Sequence, residues 1–258
     1  MPKATILGSG TSFGVPVVGC SCEVCTSRDP RDRRTRSSAV VETGDGTRIL
    51  IDTPPELRLQ LIGARIPRVD AVLYTHDHAD HVHGIDDLRA MSVKNGPLEL
   101  FGAPDVLERI GARFQYIFDD AVRPPRGTSK PELVRVSIAS GDQLPLGGVT
   151  VVPLEFWHGT MTVYGYRFGP FAYLTDVKSV PEESRKALAG VRYLVVNALF
   201  DRPHPTHLSI PEAIELARDL GAEQTFLTHL THRFTHEGMK AMLPPGIEPA
   251  YDGLVIEW

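Results

Sequence analysis

Three histidines and two aspartates fall within the six residues His76–His81 of the stretch Thr75-His76-Asp77-His78-Ala79-Asp80-His81. The apolar run before them, Ala71–Thr75, reads as a strand, so these polar side chains begin where a strand reaches a sheet edge. On an extended or turning segment alternate side chains share a side. His76 and His78 can therefore converge on one ion while Asp80 and His81 swing toward a second position. Neutral imidazole and carboxylate suit divalent zinc, manganese or iron. With ten histidines in 258 residues, a His-x-His-x-Asp-His string arises by chance in about one chain in a thousand.

Three further candidates also follow apolar strands: His158 after Phe156-Trp157, Asp176 after Phe171–Thr175, and His229 after Thr225–Thr228. Singly, the histidines read as loop residues and Asp176 as a helix N-cap. Taken with the His76 cluster, they describe a site on a sheet edge. A second constellation is Cys20-Ser21-Cys22-Glu23-Val24-Cys25 in a glycine-rich loop. Three cysteines cannot all pair within the chain, which excludes a disulfide scaffold. Tetrahedral zinc takes four ligands, and three thiolates plus one imidazole is a known structural set. His232, three residues beyond His229, and His236 are both open as the fourth ligand.

The elements that must position these groups alternate along the chain. Strands are expected at Lys3–Leu7, Ala39–Glu42, Arg48–Asp52, Leu98–Phe101, Val134–Ile138, Val149–Phe156, Val163–Phe168, Tyr193–Asn197, Gln224–Leu227 and Leu254–Glu257. Gly44-Asp45-Gly46 marks a hairpin. Helices are expected at Leu57–Ile62, at Pro104–Arg113, near Pro181, and at Ser209–Leu220. In the last of these Ser209 and Glu212 form a capping-box pair ahead of an apolar face. Ala121–Pro131 reads as a surface loop, and no linker splits the chain, so one α/β domain spanning residues 1–258 is expected. The composition is ordinary for a globular protein, at 42% hydrophobic and 23% charged, and the net charge of -5 argues against a broad nucleic-acid-coating face. No apolar run is long enough for a membrane span, and the N-terminus lacks the apolar stretch of a secretory signal; a cytoplasmic location without a membrane partner is expected.

The ordered set of His76–His81, His158, Asp176 and His229 resembles the metallo-β-lactamase superfamily. Within it, Leu7-Gly8-Ser9-Gly10-Thr11-Ser12 with Gly14-Val15-Pro16, the Gly19–Cys25 loop, Gly84-Ile85-Asp86-Asp87-Leu88-Arg89 and Tyr251-Asp252-Gly253 resemble the PhnP-type phosphodiesterases and their tRNase Z relatives. The resemblance covers nearly the whole chain. It implies an αβ/βα sandwich, with two mixed sheets face to face and helices outside. It also implies two divalent ions, zinc or manganese, on the sandwich edge. His76, His78 and His158 would hold the first, Asp80, His81 and His229 the second, and Asp176 would bridge them. Asp80 is also assigned to the catalytic group, and Asp52 would orient ligand histidines from behind. The resemblance selects His232 for a structural zinc with Cys20, Cys22 and Cys25, and gives His207 the task of assisting the leaving group. His204 reads as a loop residue, and His83 as a residue behind the ligands or facing substrate.

These assignments imply hydrolysis of a small phosphodiester, such as a 2′,3′-cyclic nucleotide or phosphoribosyl cyclic phosphate. One alternative is a tRNA 3′-processing endonuclease of tRNase Z type, with RNA as partner. The long arm usual in that family is missing here, and Arg123, Arg126 and Lys130 read as a solvated basic loop. A second is a non-hydrolytic carrier of the kind found in pyrroloquinoline quinone biosynthesis. A third, a glyoxalase-type thioester hydrolase, gives no reason for the cysteine loop. Relatives are often homodimers, though the chain itself offers no argument for one.

Overall fold

The computed structural model describes residues 1–258. Its strands are β1 (Lys3–Gly8), β2 (Ser38–Glu42), β3 (Arg48–Ile51), β4 (Ala71–Leu73), β5 (Leu98–Gly102), β6 (Leu133–Ser137), β7 (Leu144–Leu146), β8 (Val149–His158), β9 (Met161–Phe168), β10 (Phe171–Leu174), β11 (Tyr193–Asn197), β12 (Gln224–Thr228), β13 (Ile247–Pro249) and β14 (Val255–Glu257). The helices are α1 (Leu57–Gly63), α2 (Ala79–Val82), α3 (Arg89–Asn95), α4 (Pro104–Arg113), α5 (Gln115–Phe118), α6 (Glu182–Ala187), α7 (Ile210–Leu220) and α8 (His236–Met242).

The strands form two seven-stranded mixed sheets, ordered β14-β1-β2-β3-β4-β5-β6 and β13-β12-β11-β10-β9-β8-β7. In the first, β3 to β6 are parallel; in the second, β10 to β13 are. Strands buried on both faces need apolar residues at nearly every position, and the central strands β3, β4, β10 and β11 have them. Ile49 and Ile51 of β3 face the opposite sheet, where they join Phe168, Phe171, Tyr173 and Val195, while Leu50 faces outward against Leu57 and Leu61 of α1. In β11, Val195 points inward and Leu194 and Val196 pack toward Ala213, Leu216 and Ala217 of α7. The result is the expected αβ/βα sandwich, with helices on both outer faces.

Local signals account for most of the elements. In α7 the Ser209 side chain accepts from the Glu212 N–H, and the Glu212 carboxylate accepts from the Ser209 N–H at 2.7 Å; Gly221 closes the helix in the left-handed region. Such a cap contributes about 1 kcal/mol. The hairpin between β2 and β3 is fixed by Asp45, whose Oδ1 accepts from the Thr47 N–H at 3.0 Å, and by Gly46 at φ 87°. The structure departs from expectation mainly around the polar motif. β4 stops at Leu73 because Tyr74 and the residues after it leave the ladder and turn into α2. β8 instead continues through His158, held by pairing with Met161. Helices α2, α3, α5 and α8 and strands β7 and β13 were not anticipated.

The parallel strands end on one edge, the usual place for a site in such sheets. Asp52 follows β3, Asp176 lies just beyond β10, and His229 follows β12. All three have left-handed backbones, with φ of 61°, 58° and 57°. Non-glycine residues adopt that region at a cost of about 1–3 kcal/mol and concentrate at functional sites. Here the turn swings each side chain back across the strand ends. The expected alternative for Asp176, a helix N-cap, is therefore not realised.

Candidate metal centres

The His76–His81 segment is gripped from two sides. Behind it, Asp52 is fully buried. Its Oδ1 accepts the Thr75 N–H at 2.9 Å, and its Oδ2 accepts the Thr75 hydroxyl at 2.8 Å and His81 Nδ1 at 2.7 Å. The Thr75 hydroxyl stands 2.9 Å from His76 Nδ1. One aspartate and one threonine thus hold two imidazoles through their Nδ1 atoms. In front, Arg109 Nε donates to Asp77 Oδ1 at 2.9 Å and Arg113 donates to the Asp77 carbonyl and carboxylate, tying the motif to α4. Gly84 is needed where the chain leaves α2, since a Cβ there would stand 2.0 Å from the Pro54 carbonyl oxygen.

The opposite nitrogens are the informative ones. His76 Nε2 and His81 Nε2 are buried and make no hydrogen bond. Such buried orphans are rare and call for an ion or water. His81 Nε2 lies 3.2 Å from Asp176 Oδ2 and 3.4 Å from Asp80 Oδ2. One donor atom each from His76, His81 and Asp176 lie within 4.8 Å of one another, as do those of a second trio, His158, Asp176 and His207. Asp176 belongs to both, the position a bridging carboxylate needs. His78 is exposed, its ring 4.5 Å from that of His76 and 5.4 Å from that of His158. His229 Nδ1 is 3.4 Å from Asp176 Oδ2 and 3.2 Å from Ser37 Oγ, whose hydroxyl donates to the Gly10 carbonyl. His158 Nδ1 meets the Thr206 carbonyl at 2.7 Å.

The electrostatics favour a cation at this edge. Burial opposes charge on His81, but Asp176, Asp52 and Asp80 outweigh it and push its pKa well above the ordinary imidazole value. Burial likewise works against an ionised Asp176, yet His229, His81 and the His207 hydrogen bond hold that carboxyl well below the usual range. Burial, helped by His81 and His78, takes His76 well below the ordinary imidazole value, and burial with His207 and His81 takes His229 down to about 4. The surroundings thus stabilise positive charge between carboxylates and keep neighbouring imidazoles neutral, the state in which they ligate metal.

At the cysteine loop the fit is geometric. His232 Nδ1 stands 3.4, 3.5 and 3.4 Å from Cys20, Cys22 and Cys25 Sγ. Zinc–sulfur and zinc–nitrogen bonds of about 2.3 and 2.05 Å in a tetrahedron separate sulfur from nitrogen by about 3.5 Å. His236 is not in the group; it is buried at the start of α8, its ring against Tyr251. The Cys22 thiol is brought down to about 6, chiefly by the Cys25 backbone N–H, and burial pushes Cys25 up to about 11. Between the two centres runs the Thr228–Phe234 loop, which carries both His229 and His232. Buried Arg34 donates to its Thr231 and Phe234 carbonyls.

His207 comes as close to Asp176 as any candidate ligand, with Nε2 3.0 Å from Oδ1. Its ring stands 4.6 Å from that of His158 and 4.9 Å from that of His229. His83 is exposed, with its ring against Phe114. Sequence reasoning missed Thr75, Ser37, Thr206, Arg34 and the Asp77 clamp. Thr75, Thr206 and Asp77 each adjoin a singled-out histidine, which is the only local signal; Ser37 and Arg34 become neighbours through folding alone.

The profile of the β-lactamase superfamily domain matches residues 47–230. The chain belongs to that superfamily. A crystal structure described as a new diphosphatase from the PhnP family superposes with a TM-score of 0.91 at 37% identity, covering 100% of this chain and 98% of the other, which places the superfamily member in the PhnP-type branch. A Porphyromonas gingivalis (strain ATCC BAA-308 / W83) protein named octanoyltransferase is 40% identical over 254 residues. That alignment takes in 98% of this chain but 51% of the relative, so the chain spans about half the length of that protein. Zinc-bound PqqB from Methylobacterium extorquens shares the fold, with a TM-score of 0.80 at 19% identity over 99% of this chain and 100% of the other. Family, fold and donor clusters agree on a sheet edge able to hold divalent metal in this superfamily member.

Proposed function

We propose that the chain hydrolyses a small phosphodiester, with 2′,3′-cyclic nucleotides and phosphoribosyl cyclic phosphate as the model substrates. His76, His78 and His158 would hold one active-site ion, Asp80, His81 and His229 the other, and Asp176 would stand between them; zinc or manganese suits these donors. Bound divalent ions activate water at neutral pH and neutralise charge on non-bridging phosphate oxygens. Cys20, Cys22, Cys25 and His232 would hold a separate structural zinc.

The observation that carries the reading is His207 Nε2 beside the shared carboxylate of Asp176. A departing alkoxide is strongly basic and needs a proton, and an imidazole whose ring reaches the donor pocket can deliver it. A second reading, cleavage of a diphosphate linkage, is favoured by the name of the PhnP-family structure at 37% identity. A departing phosphate needs that proton less, so His207 favours the diester. The tRNA reading has only Arg123, Arg126 and Lys130 behind it, all outside the donor pocket.

The test is a panel of bis(p-nitrophenyl) phosphate, 2′,3′-cyclic AMP and a nucleoside diphosphate ester, assayed with zinc and with manganese. Phosphomonoester release from the diesters is expected; silence on every diester would sink the proposal, and turnover of the diphosphate alone would select the second reading.

A further inference from the structure

Arg34 is a fully buried cation without a close counter-charge. The one carboxylate within reach, that of Asp32, stands 3.5 Å from Nη2, and Nε has no partner. Taking a guanidinium out of water is costly, and a long ion pair with an unmet donor offsets that cost poorly. The other donors go to main-chain carbonyls. Nη1 donates to Thr231 and Nη2 to Phe234, the latter at 2.9 Å, so the two bonds bracket His232 and Arg233. Little else holds that stretch. Leu230, just before it, pairs with Ser9 and Thr11, but from Thr231 to Phe234 no main-chain group bonds to the main chain of another segment. The Cys22 thiol is 3.9 Å from the His232 carbonyl, and the exposed Arg233 side chain is 3.5 Å from Asp201.

The thiol half of the site hangs from the same residue. The Arg34 N–H donates to the Val15 carbonyl at 2.9 Å, and the Arg34 carbonyl accepts from the Val15 N–H at 2.8 Å. Val15 packs with Val24 and Cys25. Two residues on, the Val17 carbonyl accepts from the Cys20 N–H, and the Val17 N–H donates to Cys25 Sγ. We propose that Arg34 is the positioning residue of the cysteine–histidine site: its main chain sets the cysteine loop, its side chain sets the backbone around His232, and both halves take their register from it. A planar fork spans two carbonyls at a fixed separation, which an ammonium or an apolar chain of similar length cannot do. The His232 ring makes no hydrogen bond outside the cluster, so its aim at three sulfurs, 3.4–3.5 Å away, follows from the backbone that Arg34 grips.

This inference rests on the structural-zinc reading of Cys20, Cys22, Cys25 and His232, and its test separates the two. Cobalt(II) is the probe, because charge-transfer absorption from thiolate to cobalt can arise only at the cysteines; the edge holds no thiol. Arg34→Met keeps the length and removes every donor, whereas Arg34→Lys keeps the charge without the fork. Cobalt titration followed by zinc displacement should show about 10–100-fold weaker binding in Arg34→Met and a smaller loss in Arg34→Lys. In a His232→Ala background, where the ring is gone, Arg34→Met should cost less than about threefold. Binding by Arg34→Met within about twofold of wild type would overturn the proposal. So would an equal loss with and without His232, the mark of a general loosening. If Arg34→Met does not fold, the same cycle run with Arg34→Lys decides. Hydrogen–deuterium exchange on the proteins as purified gives a readout independent of cobalt. The His236 N–H, which donates to Asp32 Oδ1 at 2.6 Å, and the amides of residues 231–234 should exchange faster in Arg34→Met, while β1 and β12 stay unchanged. Unchanged exchange at residues 231–236 also overturns the proposal. If wild type shows no charge-transfer band, the structural-zinc reading fails, while the exchange still decides the role of Arg34.

Discussion

The His76–His81 edge and the Cys20–Cys25 loop each gather side chains fit to hold metal, but different forces assemble them. At the edge, His76, His81, His158 and His229 each have a partner behind them: Thr75, Asp52, the Thr206 carbonyl and Ser37. Thr75, Asp52 and Ser37 sit at strand ends and Thr206 in the loop before α7, and three site residues hold left-handed backbones at the strand ends. At the loop the only hydrogen bond to a thiol from outside the cluster is the Val17 N–H on Cys25 Sγ, at 3.3 Å. The hydrophobic cluster beneath is three residues, Val15, Val24 and Cys25, against twenty in the layer between the sheets. The protein itself therefore shapes the edge, whereas the loop has little around its donors to hold them, and an ion there would add the most order. Catalysis benefits from the first arrangement and folding from the second.

Substitutions can break or sharpen that contrast. The largest effect is expected from Asp176→Asn, which keeps a residue tolerant of the left-handed backbone but removes the charge both trios share. Hydrolysis should fall about 10³-fold, equivalent to about 4 kcal/mol, with the melting temperature little changed. A collapse of the fold instead would mean that the edge needs its ions for shape too. Cys25→Ser should do the reverse: mass spectrometry should find about one zinc fewer per chain, and calorimetry a melting temperature lower by about 10 °C, as a loss of 3–4 kcal/mol implies for a chain of this size.

Asp52→Asn tests the support behind the edge. A 10–100-fold loss in metal affinity or activity is expected, measured by competition with a chromogenic chelator and by turnover. Ser37→Ala removes one weaker partner of His229 and should cost about fivefold in affinity for one ion, the worth of a single hydrogen bond. Smallest of all, replacing Arg123, Arg126 and Lys130 together by Ala should change small-diester turnover by less than about twofold, since exposed charges far from the chemistry act weakly. A large fall there would favour a polymeric, RNA-like substrate.

What the sequence discloses follows the same division. Positions fixed by local rules were legible: α4 and α7 from their apolar faces and starts, the β2–β3 hairpin from its glycines, and the seven histidines and aspartates at or beyond strand ends. Helix α8 was not, because seven residues including Gly238 have too little periodicity to register, and α2 was hidden by the polarity of the motif it carries. Asp52 could be picked out because it ends a strand. Ser37 and Arg34 could not, since each meets its partner across nearly 200 residues of chain.

The loop after β12 has a consequence for how the protein matures. His229 stands at the edge beside Asp176 and His232 beside the cysteines, three residues apart on a segment that Arg34 clamps at Thr231 and Phe234. An ion held by the cysteines would immobilise that segment and with it the backbone that presents His229. The coupling would be reciprocal, so that filling either site would favour the other. Zinc supply would then bear on occupancy of the edge even where the ions there were not zinc.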